Sequence, residues 1–504
     1  MRAATAVKPR VARLAQAAKP QVARVRKPKT WQYTAGAATA GLALAAGVVT
    51  AAGPWDSSGQ RTAERDWAAA QEGTGGADHG RKSGTSDTEA GAPRPAPSAA
   101  TVLTGLGGAA NTVKSAPDGT SLADVLDPLL ENEALGARHT AVVVDVSNGK
   151  RLYGTGADDA LTPASTTKLA TAVAALSAMG ADHRFTTRTA LEPDTKELVL
   201  VGGGDPTLTA RKDAAGWASL RTLAADTAAT LKKRGVSEVK LSYDSTLYAG
   251  SAVHPIGVND NLAPVSALVA DEGRTDDSTS GPATRVSDPA ADAARRFGEF
   301  LKSDGIRTTS AGPAKATSRA EPLAAVSSPP LSDLVERMLT NSDNDIAEAL
   351  ARQTAVATGE RADFAGGGKA IRAQLKKLAL PLTGADFKDG SGLNRADKLT
   401  ADLLTALLLE AADPAHPELR PVLTGLPVAG FTGTLADRYT DGAAGVVRAK
   451  TGTLTGVNTL AGTVVDRDGR LLAFAFLTSD TTDAWAAQSA LDRTATALAG
   501  CGCG

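Results

Sequence analysis

Hydrophobic and polar positions divide this chain into stretches of unlike period. Residues 1–32 carry nine Lys and Arg and no acidic side chain, and Tyr33 to Trp55 then run without a charge. The least polar part, Thr34 to Ala52, is about nineteen residues of mostly Ala and Gly, close to the length that spans a bilayer. The basic flank keeps the N-terminus cytoplasmic and sends everything after Pro54 across the membrane. Val49-Thr50-Ala51 also offers a small-residue cleavage site, so a signal peptide (33–55) and an uncleaved anchor are both open. Residues 56–118 are Gly, Ser, Thr, Ala, Asp and Pro with few large apolar side chains, too little to bury a core, which predicts a disordered linker.

Periodicity begins at Ser121. Leu122, Val125, Leu126, Leu129 and Leu130 recur at helical spacing, and Thr140 to Val146 is a strand. Ser147-Asn148-Gly149-Lys150 turns the chain, and Arg151-Leu152-Tyr153 returns beside it. Leu169, Val173, Leu176 and Met179 then mark a helix. At the far end, Asn458 to Val465 and Leu471 to Leu477 are strand-like runs joined by a turn at Asp466 to Gly469, before a helix from about Thr482 to Leu498. These ends predict an α+β domain whose antiparallel sheet is assembled from both ends of the chain and packed by the helices of the middle. The domain is expected to comprise residues 119–184 and 328–500. Between them, residues 185–327 alternate short apolar runs, such as Glu197 to Val201 and Glu238 to Tyr243, with Gly/Pro/Asp turns, and carry one helical segment at about Trp217 to Arg234. This stretch reads as a β-rich inserted domain.

Composition narrows the function. A net charge of -1 gives no electrostatic reason for a nucleic-acid partner. Cys501 and Cys503 are too few and too close for a disulfide framework. The five histidines are scattered, without metal-ligand spacing or a partner set for a His-based triad. A nucleophilic enzyme built from this chain therefore has to use lysine as its base.

Ser165 and Lys168 stand three residues apart where the helix of Leu169 begins, on one helix face. A lysine can take the serine proton only if its pKa falls well below about 10.4, through burial or a second nearby cation. Alone, the pair reads better as a Ser N-cap with a solvated Lys in the first turn. Two further motifs follow in order: Ser342-Asp343-Asn344, and Lys450-Thr451-Gly452-Thr453 ahead of an apolar strand. Lys82-Ser83-Gly84-Thr85 mimics the last, but lies upstream in the polar linker and is set aside. Ser391, in Asp389-Gly390-Ser391-Gly392-Leu393, lacks the pattern of a nucleophile elbow and reads as a tight loop.

S-x-x-K, S-D-N and K-T-G in this order are the signature of the penicillin-recognising serine enzymes. With Gly202 to Leu208, Leu262 to Ser266, Asp389 to Leu393 and Gly433-Thr434-Leu435, the stretch from about Ser121 to Leu498 resembles the class C low-molecular-mass penicillin-binding proteins, the D-alanyl-D-alanine carboxypeptidase/endopeptidases. The resemblance implies a penicillin-binding-protein/serine β-lactamase-like transpeptidase domain without a cofactor. It also implies action on peptidoglycan peptides ending in D-Ala-D-Ala, with β-lactam antibiotics as acylating partners, beside a cytoplasmic membrane reached through the N-terminal segment. By motif, Ser165 is the acylated nucleophile and Lys168 its base, while Ser342 relays a proton and Asn344 holds the substrate amide. Lys450 faces the substrate carboxylate and lowers the pKa of Lys168. Thr451 and Thr453 bind the same carboxylate beside Gly452, and the N–H groups of Ser165 and Thr453 form the oxyanion hole. The rival readings are a serine β-lactamase, for which Glu348 or Glu360 would have to drive deacylation, and a catalytically idle penicillin- or wall-binding protein.

Overall fold

Helix α1 (Leu122–Leu130) opens the computed structural model, which describes residues 121–439 and 442–502. The basic segment, the apolar span and the linker expected within residues 1–118, together with Cys503, lie outside the described residues. Ser121 and Asp124 close a capping box on α1, and Leu122, Leu126 and Leu130 form its buried stripe. Strands β1 (Arg138–Asp145) and β2 (Arg151–Thr155) follow, then α2 (Thr167–Met179), β3 (Thr186–Leu191), β4 (Glu197–Val201), α3 (Leu220–Lys233) and β5 (Glu238–Asp244). Next come α4 (Pro289–Ser303), β6 (Arg307–Pro313), β7 (Glu321–Ser327), α5 (Leu331–Asn341), α6 (Asn344–Thr358), α7 (Phe364–Lys377), α8 (Ala401–Ala412) and α9 (Pro421–Thr424). Strands β8 (Val447–Leu454), β9 (Val457–Val465) and β10 (Leu471–Ser479) and helix α10 (Ala484–Gly500) complete the order.

The first sheet has the order β2-β1-β10-β9-β8, antiparallel throughout, so both ends of the chain meet in it as the periodicity predicts. Strand β10 shows why the sheet is central: Leu472, Phe474 and Phe476 face one core, while Ala473, Ala475 and Leu477 face the other. The alanine face packs against the helices, where small side chains let α8 approach closely. Helix α2 is buried on every side from Thr167 to Leu176, which its run of alanines permits. Cys501, at the C-terminal cap of α10, packs in the aromatic core.

The second sheet, β6-β5-β4-β3-β7, lies within residues 186–327 and differs from a purely β-rich expectation. Its β4, β5 and β6 are parallel, joined by crossover helices α3 and α4. Parallel neighbours need such crossovers, and α4 was missed because a short apolar stripe between turns is weak evidence by itself. Asp288 does cap it, with Pro289 in its first turn. Leu198, Leu200, Leu223, Leu231, Leu241, Phe297 and Leu301 make a third core, drawn wholly from this segment.

Candidate active site

The nucleophile turn comes first. Residues Ala164–Thr166 form a single 3-10 turn that runs into α2, so Ser165 precedes the helix rather than capping it. Ala164, fully buried, holds φ 48, a left-handed conformation that side chains rarely adopt. Strand β8 is an edge of its sheet and lies against this turn. The contact is possible because Gly452 has no side chain: a Cβ there would sit 2.1 Å from Thr459 Oγ1 and 2.8 Å from the Pro163 carbonyl oxygen. Gly452 thus sets a distance and does not line the cleft.

One turn along α2, Lys168 is completely buried. Its ammonium donates to Ser165 Oγ (3.0 Å), Asn344 Oδ1 (2.7 Å) and the Ser391 carbonyl (2.7 Å), which fills all three donors. Burial pulls its pKa down to about 8, against the opposing pull of Asp389, Glu348, Asp343 and Asp345. The expected second cation is therefore not the leading cause. Lys450, on β8, is equally buried, and its Nζ donates to the Thr451 carbonyl oxygen (2.8 Å). Burial first, then Lys168 and Arg438, hold Lys450 well below the usual lysine range.

The S-D-N motif is a helix junction. Ser342 ends α5 in the left-handed region (φ 58), Asp343 caps α6 through the Ile346 amide (3.0 Å), and Asn344 is the first residue of α6. This corner brings Asn344 to Lys168 across 176 residues of chain. The Nδ2 of Asn344 donates to the Asn261 carbonyl (3.0 Å), and Asp345 accepts from the Ala263 amide (2.9 Å) and Arg285 (2.9 Å). Glu272 pairs with Arg274 (2.8 Å) beside them, and burial followed by Asp343 and Asp345 pushes its carboxyl up to about 9.

A loop that was read only as tight turns out to hold the base. Asp389 accepts from the Gly392 and Asn394 amides (both 2.7 Å) and faces His254 Nε2 (2.9 Å). Glu348 accepts from the amides of Gly390 (3.1 Å) and Ser391 (2.9 Å). Gly392 has φ 81, and a Cβ there would meet the Ala164 carbonyl oxygen at 1.9 Å, so the loop is wedged under the nucleophile turn. Ser391 is fully buried. Burial and then Asp389 push Glu348 up to about 7 and Asp397 up to about 10. Hydrogen bonds from His254 and Asp397 outweigh burial at Asp389 and hold it below the usual carboxylate range. His254, Asp389 and Asp397 had been overlooked as a group; the only signal was the D-G-S-G pattern, which names the loop but not its partners.

Ser165, Ser342, Asn344, Thr451 and Thr453 open together onto a cleft of about 350 Å³, joined by Asn261, Leu393, Thr434 and Arg438. Lys168 stands behind Ser165, and Lys450 and Gly452 stand behind the β8 wall. The arrangement suits an activated serine attacking an acyl group whose other end lies along β8.

Known proteins resemble this chain over most of its length. The family model described as the D-Ala-D-Ala carboxypeptidase 3 (S13) family matches residues 122–283 and 275–498. The chain is 34% identical over 425 residues to a carboxypeptidase of Mycobacterium tuberculosis, covering 82% of this chain and 90% of that one. It is 30% identical over 442 residues to a D-alanyl-D-alanine carboxypeptidase of Actinomadura sp., covering 70% and 80%. Penicillin-binding protein 4 of Haemophilus influenzae shares the fold at 22% identity, with a TM-score of 0.61 over 74% of this chain and 98% of that one. A second structure of that protein is complexed with a β-lactam.

Proposed function

The chain belongs to the D-Ala-D-Ala carboxypeptidase 3 (S13) family, and on that premise we propose that Ser165 is its acylated nucleophile and Lys168 the general base. The protein is a serine-type D-Ala-D-Ala carboxypeptidase that acts outside the cytoplasm on peptidoglycan peptides and binds β-lactams. The observation that carries the assignment is the Lys168 to Ser165 contact of 3.0 Å, made by a buried amine with a pKa of about 8. A useful fraction of that amine is neutral near pH 7 and able to take the hydroxyl proton as Oγ attacks. Ser342 then passes the proton to the departing D-alanine amine, and water hydrolyses the acyl-enzyme. The N–H groups of Ser165 and Thr453 receive the developing oxyanion, which an edge strand favours.

A β-lactamase reading would need Glu348 to activate water, but both oxygens of that carboxylate face loop amides in a buried site. We read residues 185–327 as an inserted unit that walls the cleft, supported by its separate core and by Asn261 and Arg285 at the S-D-N corner. Among the described residues no helix is long and apolar enough to cross a membrane, and Thr34 to Ala52 is read as the segment that either anchors the protein or is cleaved to release it. Fractionation tests it: the folded domain is expected outside the cytoplasm, either with the membrane or released, and its recovery in the cytosol would defeat the reading.

The decisive experiment follows a labelled penicillin on the purified protein over time. A stable adduct at Ser165 is expected, absent in Ser165→Ala and retained in Ser391→Ala. Labelling that survived Ser165→Ala would remove the assignment.

A further inference from the structure

We propose that Arg438 determines specificity in this cleft, presenting to the substrate's terminal carboxylate the positive charge that the K-T-G motif assigns to Lys450. The inference rests on the carboxypeptidase reading above and deepens it.

Lys450 is poorly placed for direct recognition. Its side chain is fully buried, its Nζ is turned onto the carbonyl of the next residue, and it is absent from the cleft lining. A lysine so enclosed, with Lys168 and Arg438 for neighbours, is also easily neutralised. Arg438 follows the short turn Gly433–Leu435 and does line the cleft, beside Thr434, Thr451 and Thr453. Its side chain is 16% exposed. Asp492 on α10 grips it as a fork, with Nε to Oδ2 at 2.9 Å and Nη2 to Oδ1 at 2.5 Å.

That grip has two consequences. It fixes the plane of the guanidinium at low entropy cost. It also consumes Nε and Nη2 only, so the ion pair is positive at its other end, where Nη1 has no hydrogen-bond partner among the described residues. Alongside, Thr451 Oγ1 donates to Thr434 Oγ1 (2.9 Å), and Gln488 Nε2 reaches Thr453 Oγ1 (3.4 Å). Hydroxyls and a guanidinium lining one cleft are the chemistry that holds a carboxylate. A guanidinium holds its charge through burial better than an amine does, which suits Arg438 to the selecting role.

The test compares kcat/KM for a peptide ending in D-Ala-D-Ala with that for the same peptide ending in a carboxamide. Wild type should prefer the carboxylate, and Arg438→Gln should reduce the ratio about ten-fold or more, the worth of a charge-assisted hydrogen bond. Arg438→Lys should restore part of it. Asp492→Asn breaks the same ion pair but leaves the cation, so it should lower the melting temperature while keeping the ratio within about three-fold of wild type. If Asp492→Asn erased selectivity as fully as Arg438→Gln, Arg438 would be a structural tie only, and the proposal would fall. It would fall equally if Arg438→Gln kept the wild-type ratio. A wild-type protein that neither hydrolysed the D-Ala-D-Ala peptide nor labelled with penicillin would instead overturn the underlying reading of the site.

Discussion

The helical floor of the cleft and its strand wall each hide a lysine from solvent, and the two lysines are treated differently. On the floor, Lys168 has three oxygen acceptors, with Asp389 and Glu348 close enough to oppose the cost of burial. On the wall, Lys450 has one backbone acceptor, and its charged neighbours are cations. Equal burial therefore produces unlike groups: an amine with a pKa of about 8 that can shuttle a proton, and an amine held well below the usual lysine range by burial and by the cations beside it. Burial sets the direction of a pKa shift, and neighbouring charges decide whether the result is useful as a base.

The largest expected effect is at the floor. Lys168→Ala should slow acylation of Ser165 by about 10³-fold, within the usual range for losing a positioned base, measured as the rate of penicillin adduct formation. A loss under about ten-fold would place the base elsewhere. At the wall, Lys450→Ala should cost less, roughly 10²-fold in kcat/KM on D-Ala-D-Ala peptides, through slower acylation as the packing of β8 loosens rather than through a lost carboxylate contact. Equal losses for the two lysines would erase the contrast between them.

Smaller effects sharpen it. Gly452→Ala should destabilise the fold by about 2 kcal/mol and slow acylation, because a methyl group at the Thr459 hydroxyl and the Pro163 carbonyl drives β8 away from the nucleophile turn. Thermal unfolding with the adduct assay checks both. The least effect is on pH. Acylation should rise with pH and level off above about 8, since only the neutral Lys168 accepts a proton. Glu348 favours the charged ammonium, so Glu348→Gln should move that rise to lower pH, by roughly half a unit to one unit. A shift to higher pH would mean that Glu348 acts through loop geometry instead.

Much of the site was legible because its parts are local. Ser165 and Lys168 share a helical turn, Ser342-Asp343-Asn344 is a helix junction written in three residues, and Lys450 to Thr453 alternate along one strand. What escaped was held by distant chain. His254 meets Asp389 across 135 residues, and Arg438 meets Asp492 across 54, with no spacing rule to join them. Helix α4 escaped for another reason: its apolar stripe needs the parallel sheet beside it before it can be told from a turn-rich connection.

Period and local stereochemistry, written in the sequence itself, determined the antiparallel sheet built from both chain ends, the nucleophile turn and the order of the three motifs. The tertiary structure decided which charges are buried together and which side chains reach the cleft. It set the pKa of Lys168 through burial opposed by Asp389 and Glu348, enclosed Lys450 behind the cleft lining, and brought Arg438 to the cleft's edge. The physical reason is range. Backbone preference acts over a few neighbouring residues, whereas desolvation and Coulomb interaction depend on distance in space, which exists only once the chain has packed.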